Sequence, residues 1–261
     1  DATPHSPGFY MSETMTYCLG ILLPDGLVLA SDSRSNAGVD QLATVRKLSV
    51  FEQPGERMIV VLSAGNLATT QAVITTLRQN LGSGEAGRDL FAAQTMFNVT
   101  QTVGDMLREI LAREAAHVQP FGDPNASFIV GGQIAGGKHR IFQIYSAGNF
   151  VEASARTQFL QIGETKYGKP ILDRALTNET SLQEAAKLAL LSYDATIRSN
   201  LSVDAPIDMM IYRRDSLDGT TLRKFNRDDD YWHSLRDTYS KGLGQLVQSL
   251  PSPPDFTSRR S

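Results

Sequence analysis

The sequence predicts an α+β fold: a four-layer αββα sandwich, with two largely antiparallel sheets stacked face to face and helices on both outer surfaces. Three observations predict it. Segments of strand character come in groups, in the order strands, two helices, strands, two helices, strands. Helices in pairs between groups of strands do not suit a doubly wound sheet, and they do suit stacked sheets with covered faces. The strand Leu27–Ser33 is apolar almost throughout, which marks burial on both of its faces.

Each element has a local cause. Residues 1–14 are polar and carry two prolines, with neither the basic start nor the apolar core of a secretory signal. They are expected to be a leader or an expression remnant. Thr16–Leu23 reads as a strand, Pro24-Asp25-Gly26 as a tight turn, and Leu27–Ser33 as the returning strand. Residues 35–44 read as a loop. Lys47–Phe51 and Arg57–Ala64 are the next strands, joined through Pro54-Gly55.

Leu67, Ile74, Leu77 and Leu81 then recur at helical spacing, as do Phe97, Val103, Leu107, Ile110 and Leu111. Between them lies GSGEAG, which matches the dinucleotide fingerprint by letter. It follows a helix instead of a strand, so it is read as a connector. Strands resume at Ser127–Gln133, at Arg140–Ser146 and around Phe159–Ile162.

Two more helices follow. The second opens on a capping box, Ser181 with Glu184, and presents Leu182, Ala185, Ala189, Tyr193 and Ile197 on one face. Ile207–Tyr212 and Thr221–Phe225 close the domain as strands. Three divisions are expected: residues 1–15 as leader, 16–227 as the sandwich, and 228–261 as a helical extension and tail. In the last, Trp232, Leu235, Tyr239, Leu243, Leu246, Val247 and Leu250 form a stripe that Gly242 and Gly244 weaken. The stripe has two readings, a helix folded onto its own domain or a helix packed on a neighbouring subunit.

Composition excludes several classes of function. The chain has 261 residues and a net charge of −3, so no broad basic field is available for nucleic acid or an anionic membrane. No apolar run is long enough to span a bilayer. The single cysteine, Cys18, excludes an intrachain disulfide and a multi-cysteine zinc site. A reducing, cytoplasmic location is expected, and the Asn-x-Ser/Thr triplets at Asn98, Asn125, Asn178 and Asn200 are read as chance.

One stretch carries chemistry. MTYCLGILLPDGLVLASDSRSNAG, followed by VRKLSVF and then SAGNLA, resembles proteasome β-type subunits, and most of all the bacterial Anbu, or ancestral β-subunit, group. FIVGGQ, FLQIGETKYGK, SLQEAAKLAL and PIDMMIY extend the resemblance across most of residues 16–213. It implies the N-terminal nucleophile hydrolase type of αββα sandwich. It also implies a threonine-type endopeptidase that uses no metal or organic cofactor and acts on peptide or protein substrates. Subunits of this family assemble into rings or ring-like helical particles; an ATPase partner is left unspecified.

The expected site is Thr16, Asp32, Lys47 and Gly65. A threonine at a chain terminus is nucleophile and base at once: the hydroxyl attacks a carbonyl and the α-amine takes the proton. A free α-amine titrates at about 7.7–8.0, so no histidine is needed. An ammonium from Lys47 beside Thr16 favours the deprotonated hydroxyl and lowers the amine's pKa. Alternation puts Lys47 on one face with Ser49 and Phe51, and Asp32 on one face with Val28 and Ala30. A carboxylate turned toward apolar surroundings needs a partner, and Lys47 is the available cation. Gly65, between a strand and a helix, matches the family's oxyanion donor.

Each of these residues alone has an ordinary explanation in strand propensity, a solvated lysine, a turn aspartate or a turn glycine. Their joint occurrence in family order favours the site. Ser33 is a further candidate for hydrogen bonding into the cluster, and Cys18 is read as a buried apolar filler. Glu164 departs from the family pattern, in which a serine usually follows Ile-Gly. A carboxylate near Thr16 raises the amine's pKa, so this position argues for weak hydrolysis or for a self-assembling scaffold. Asn200 and Ser202 lie where the family's aspartate and serine align poorly.

The mechanism also needs Thr16 to be first in its chain. Translation from Met15 followed by methionine removal, or self-cleavage of a leader, would make it so. While Met15 is attached, the Thr16 nitrogen is an amide and cannot act as base. A small-amide amidase is the second enzymatic reading, since one fold serves many substrates.

Overall fold

The structure, a computed structural model, describes residues 16–36 and 42–254. In chain order the elements are β1 (Tyr17–Leu23), β2 (Gly26–Asp32), β3 (Arg34–Asn36), β4 (Leu42–Thr44), β5 (Leu48–Gln53) and β6 (Arg57–Gly65), then α1 (Leu67–Gln79) and α2 (Met96–Val118). Next come β7 (Ala126–Ile134), β8 (Arg140–Ile144), β9 (Phe150–Glu152), β10 (Phe159–Gly163), α3 (Lys169–Ala175) and α4 (Leu182–Ser199). The chain closes with β11 (Ile207–Arg213), β12 (Leu222–Phe225) and α5 (Asp230–Ser249).

Two five-stranded sheets result, ordered β10-β1-β2-β11-β12 and β5-β6-β7-β8-β9, and every strand pair in them is antiparallel. Between the sheets lie Cys18, Leu27, Leu29, Ile162 and Met210 from the first, and Leu48, Met58, Val60, Leu62 and Ile129 from the second. The outer face of the second sheet, with Ile59, Val61, Phe128 and Val130, is covered by Val73, Leu77, Val99, Val103 and Leu107 of α1 and α2. The first sheet is covered by α4, which packs across β1 and β2 and against α3. This is the αββα sandwich that the paired helices predict.

The helices start where their side chains satisfy the first free amides. Asn66 accepts from the Thr69 N–H at 3.1 Å, and Thr95 from the Asn98 N–H at 3.1 Å. Both halves of the capping box form: Ser181 Oγ accepts from the Glu184 N–H, and Glu184 accepts from the Ser181 N–H. The GSGEAG stretch is a connector. Asp89 holds it by accepting from the N–H groups of Gly84 and Phe91.

Three details differ from the sequence reading. The hairpin turn is Pro24-Asp25 alone, with Gly26 already paired to Leu23 in the ladder. The segment read as a loop over residues 35–44 contains a two-stranded ribbon, β3 with β4, and residues 37–41 within it lie outside the described residues. A short strand, β9, joins the edge of the second sheet; at three residues it is too brief to show alternation. The expected leader, residues 1–15, also lies outside the described residues.

The chain divides into one compact unit ending at Arg227 and a second beginning at Asp228. The second is built on α5. Asp229 caps it by accepting from the Trp232 N–H at 3.0 Å, and Arg236 stacks over the Trp232 ring at 5.0 Å.

Candidate functional site

The site forms where β1 begins, β2 ends and β5 begins. Thr16 stands one residue ahead of β1 and is buried. Its carbonyl accepts the Glu164 N–H at 2.7 Å, so the start of β1 is pinned to the end of β10. Gly163 makes that approach possible. Its φ is +82°, and a Cβ there would stand 1.8 Å from the Thr16 carbonyl oxygen.

Asp32, the last residue of β2, has no solvent exposure. One carboxylate oxygen, Oδ1, accepts the Tyr17 N–H at 3.0 Å. The other, Oδ2, accepts from Lys47 Nζ at 2.9 Å. A single buried carboxylate therefore joins the peptide that follows Thr16 to the Lys47 ammonium. A buried ion pair persists only where its remaining valences are satisfied, and the Tyr17 amide supplies that here.

Lys47 corrects the expected alternation. Phe51 joins the core beneath α1 and α2, but the Lys47 ammonium crosses to the first sheet. The regular ladder starts at Leu48, so strand alternation does not extend back to residue 47. Its backbone is fixed by the Ser63 N–H, which donates to the Lys47 carbonyl at 3.0 Å. On β2, Leu27 and Leu29 face the inter-sheet core, and Val28 and Ala30 lie on the opposite face.

Gly65 ends β6, with Asn66 as the cap of α1. Its φ is +108°, and a Cβ would lie 2.5 Å from the Asn125 carbonyl oxygen. Only glycine fits there. The Cys18 thiol donates to the Ser63 carbonyl at 3.5 Å, so the end of β6 lies against the start of β1. Cys18 is fully buried, and burial pushes its thiol well above the usual range. It is a core residue, not a second nucleophile.

Ser33 does not join Asp32. Its hydroxyl donates to Asp208 Oδ2 at 2.8 Å, and Lys224 Nζ stands 3.9 Å from Oδ1. Asp208 is a second buried carboxylate that sequence reading missed; it lies 175 positions from its partner and within an apolar strand. Glu164 is half-buried, and its Oε2 accepts from Asn200 Nδ2 at 3.0 Å. Ser202 donates only its backbone N–H, to Asn200 Oδ1. Among the described residues there is no cluster of histidine, cysteine and carboxylate groups that could hold a metal.

A cavity of about 650 Å³ lies elsewhere, lined by Leu22, Leu23, Pro24, His139 and Arg214. It is at the far end of β1, roughly 20 Å from Thr16 at strand rise.

The fold agrees with comparison to known proteins. The proteasome subunit family profile matches residues 13–211. The proteasome subunit β of Haloquadratum walsbyi is 25% identical over 218 residues, 82% of this chain and 80% of the relative. The chain belongs to the proteasome subunit family, and its fold is that of the N-terminal nucleophile hydrolases.

Within the family its likeness is to the Anbu branch. Anbu from Yersinia bercovieri is 43% identical, with 91% of this chain and 98% of that one covered and a TM-score of 0.85. The helical assembly of the Anbu complex from Pseudomonas aeruginosa is 48% identical, covering 93% and 100%, with a TM-score of 0.87.

Proposed function

We propose that this chain is a threonine-type endopeptidase, with Thr16 as nucleophile once it is first in its polypeptide. The observation that carries the reading is the fully buried Asp32 carboxylate, bound at once to the Tyr17 N–H and to Lys47 Nζ. In our reading it keeps the Lys47 cation one carboxylate away from the peptide that follows Thr16.

In this reading Thr16 Oγ attacks the substrate carbonyl carbon and its proton passes to the freed α-amine. Negative charge develops on the carbonyl oxygen, where the Gly65 N–H donates. The leaving amine takes the proton and departs, leaving an ester on Thr16. Water, deprotonated by the same α-amine, then hydrolyses the ester. Lys47 favours the ionised hydroxyl and Asp32 holds Lys47 in place. No metal or organic cofactor enters these steps.

Subunits are proposed to form a homo-oligomer, as the helical assembly of the Pseudomonas aeruginosa relative does. The exposed apolar residues of α5 supply material for such contacts. No described helix is long and apolar enough to cross a membrane, and we place the particle in the cytoplasm.

A second reading is a self-assembling scaffold with little hydrolysis. Glu164 favours it, because its N–H is bound to the Thr16 carbonyl and its side chain adds a carboxylate to that corner. The test is to prepare the chain with Thr16 first, confirm that residue by N-terminal sequencing, and treat it with a threonine-directed electrophile. A mass increment on Thr16 that Thr16→Ala abolishes supports the hydrolase. Intact assemblies with no increment support the scaffold. Turnover of peptides against small amides then separates an endopeptidase from an amidase.

A further inference from the structure

The two peptide units that follow Thr16 are held by groups outside the usual strand ladder. The first, between Thr16 and Tyr17, gives its carbonyl to the Glu164 N–H at 2.7 Å and its N–H to Asp32 Oδ1 at 3.0 Å. The second, between Tyr17 and Cys18, has its carbonyl bound by the Tyr193 hydroxyl, which donates at 2.9 Å. The Tyr17 side chain is held too. Its Oη lies 2.7 Å from Ser192 Oγ and accepts from Gln161 Nε2 at 2.6 Å. The Tyr17 and Tyr193 rings meet with centroids 4.6 Å apart.

Two of these side chains come from one helix. Ser192 and Tyr193 are on α4, and Asn200 is its C-cap. Asn200 in turn binds the Glu164 side chain. Tyr193 and Asn200 are two helical turns apart, so one side of one helix reaches both neighbours of the nucleophile position: Tyr17 along the strand and Glu164 across it. Tyr193 has no solvent exposure, and burial holds its phenol well above its ordinary pKa, so it remains a donor at neutral pH. With water excluded, such a network fixes geometry more firmly than the same bonds at the surface.

We propose that α4 braces the nucleophile: Tyr193 and Asn200 are positioning residues that set the place of Thr16, acting through Tyr17 and Glu164. The brace rests on the threonine-hydrolase reading for its purpose, but its mechanics can be measured apart from it. A reacting atom misplaced by even about 1 Å loses on the order of a hundredfold in rate, so such a brace has a catalytic consequence.

The experiment uses Tyr193→Phe and Asn200→Ala in the full chain. Amide exchange is followed by mass spectrometry in fragments covering residues 16–23, with residues 128–134 of β7 as internal reference. Loss of one buried hydrogen bond is expected to speed exchange about tenfold in the first fragment and leave the reference unchanged. In the form that begins at Thr16, the maximal rate of Thr16 acylation by the electrophile should fall about tenfold. The electrophile concentration for half-maximal rate should stay fixed, and so should the pH of half-maximal rate.

Three results overturn the proposal: equal acceleration in both fragments, which is general loss of stability; a raised half-saturating concentration with unchanged maximal rate; or no change at all. If Tyr193→Phe does not fold, Asn200→Ala, half-buried at the helix end, carries the same measurements. If the unaltered chain is not labelled at Thr16, the hydrolase reading fails, and the exchange data alone decide whether the brace exists.

Discussion

Asp32 and Lys47 form an ion pair of 2.9 Å in which the carboxylate side chain is fully buried and the lysine side chain is only 9% exposed. Both charges are largely withdrawn from water, and each is met by the other. Taking one partner away leaves a desolvated charge, which is worse than never having had the pair.

Asp32→Asn and Lys47→Met are therefore each expected to destabilise the fold by about 3–5 kcal/mol, read from urea unfolding. Asp32→Leu combined with Lys47→Met should lose less than the sum of the single losses, since the double change leaves no orphan charge. Additive losses would show that the pair is not coupled as its geometry implies. The double variant should also lose Thr16 acylation in full, even where it folds.

Gly163 gives a second prediction, on backbone geometry. Alanine there would need a left-handed φ and would drive its Cβ into the Thr16 carbonyl. Gly163→Ala should cost about 3 kcal/mol or more in thermal or urea unfolding. Gly82 has a similar φ of +75° but open space around its Cβ position, so Gly82→Ala should cost only about 1 kcal/mol. Equal losses at the two positions would mean that the contact with Thr16 contributes nothing.

Alkaline pH tests the buried tyrosines. Burial pushes the Tyr17 phenol up from 10.0 to about 12, against the hydrogen bonds from Ser192 and Gln161 that act the other way. Tyr193 is raised in the same direction by burial. The folded chain holds these protons where the unfolded chain releases them, so stability is intact below about pH 10 and falls as pH rises toward 12. Tyr17 accounts for a loss of about 2–3 kcal/mol across that window. Tyr17→Phe should be less stable at pH 8, yet show a shallower decline between pH 10 and 11.5 in urea titrations. An unchanged slope would place the alkaline loss elsewhere.

Much of this architecture was legible in the sequence because local and global signals agree. Ser181 and Glu184 announce the start of α4, and the apolar run of β2 announces burial on both faces. Asp32 was legible as a charge that had to be paired, with Lys47 its expected partner. The brace was not legible, for a physical reason. Tyr193 sits on the apolar stripe of its helix, where periodicity already accounts for it, so nothing in the pattern reveals that its hydroxyl meets the Tyr17 carbonyl. The bond between Ser33 and Asp208 was hidden by distance along the chain, because side-chain pairing across two strands follows from sheet order, not from any local motif. The ribbon of β3 and β4 failed for lack of length, with three residues in each strand.

The last prediction concerns α5. Tyr239, Leu243, Leu246, Val247 and Leu250 recur at helical spacing and are all exposed, from 38% at Tyr239 to 61% at Val247. A stripe of that size left in water would be a liability, and a helix with no apolar contacts along its stripe is only marginally stable. Contact with a second copy would cover the stripe without requiring any change in the sandwich. Leu243→Glu with Val247→Glu is expected to lower the particle mass seen by light scattering toward that of smaller species, and to leave the thermal transition of the sandwich nearly in place. Exposed positions of a solvated helix would tolerate both glutamates with no change in mass. That result would remove α5 from the proposed assembly contacts and leave any homo-oligomer to be built from the faces of the sandwich.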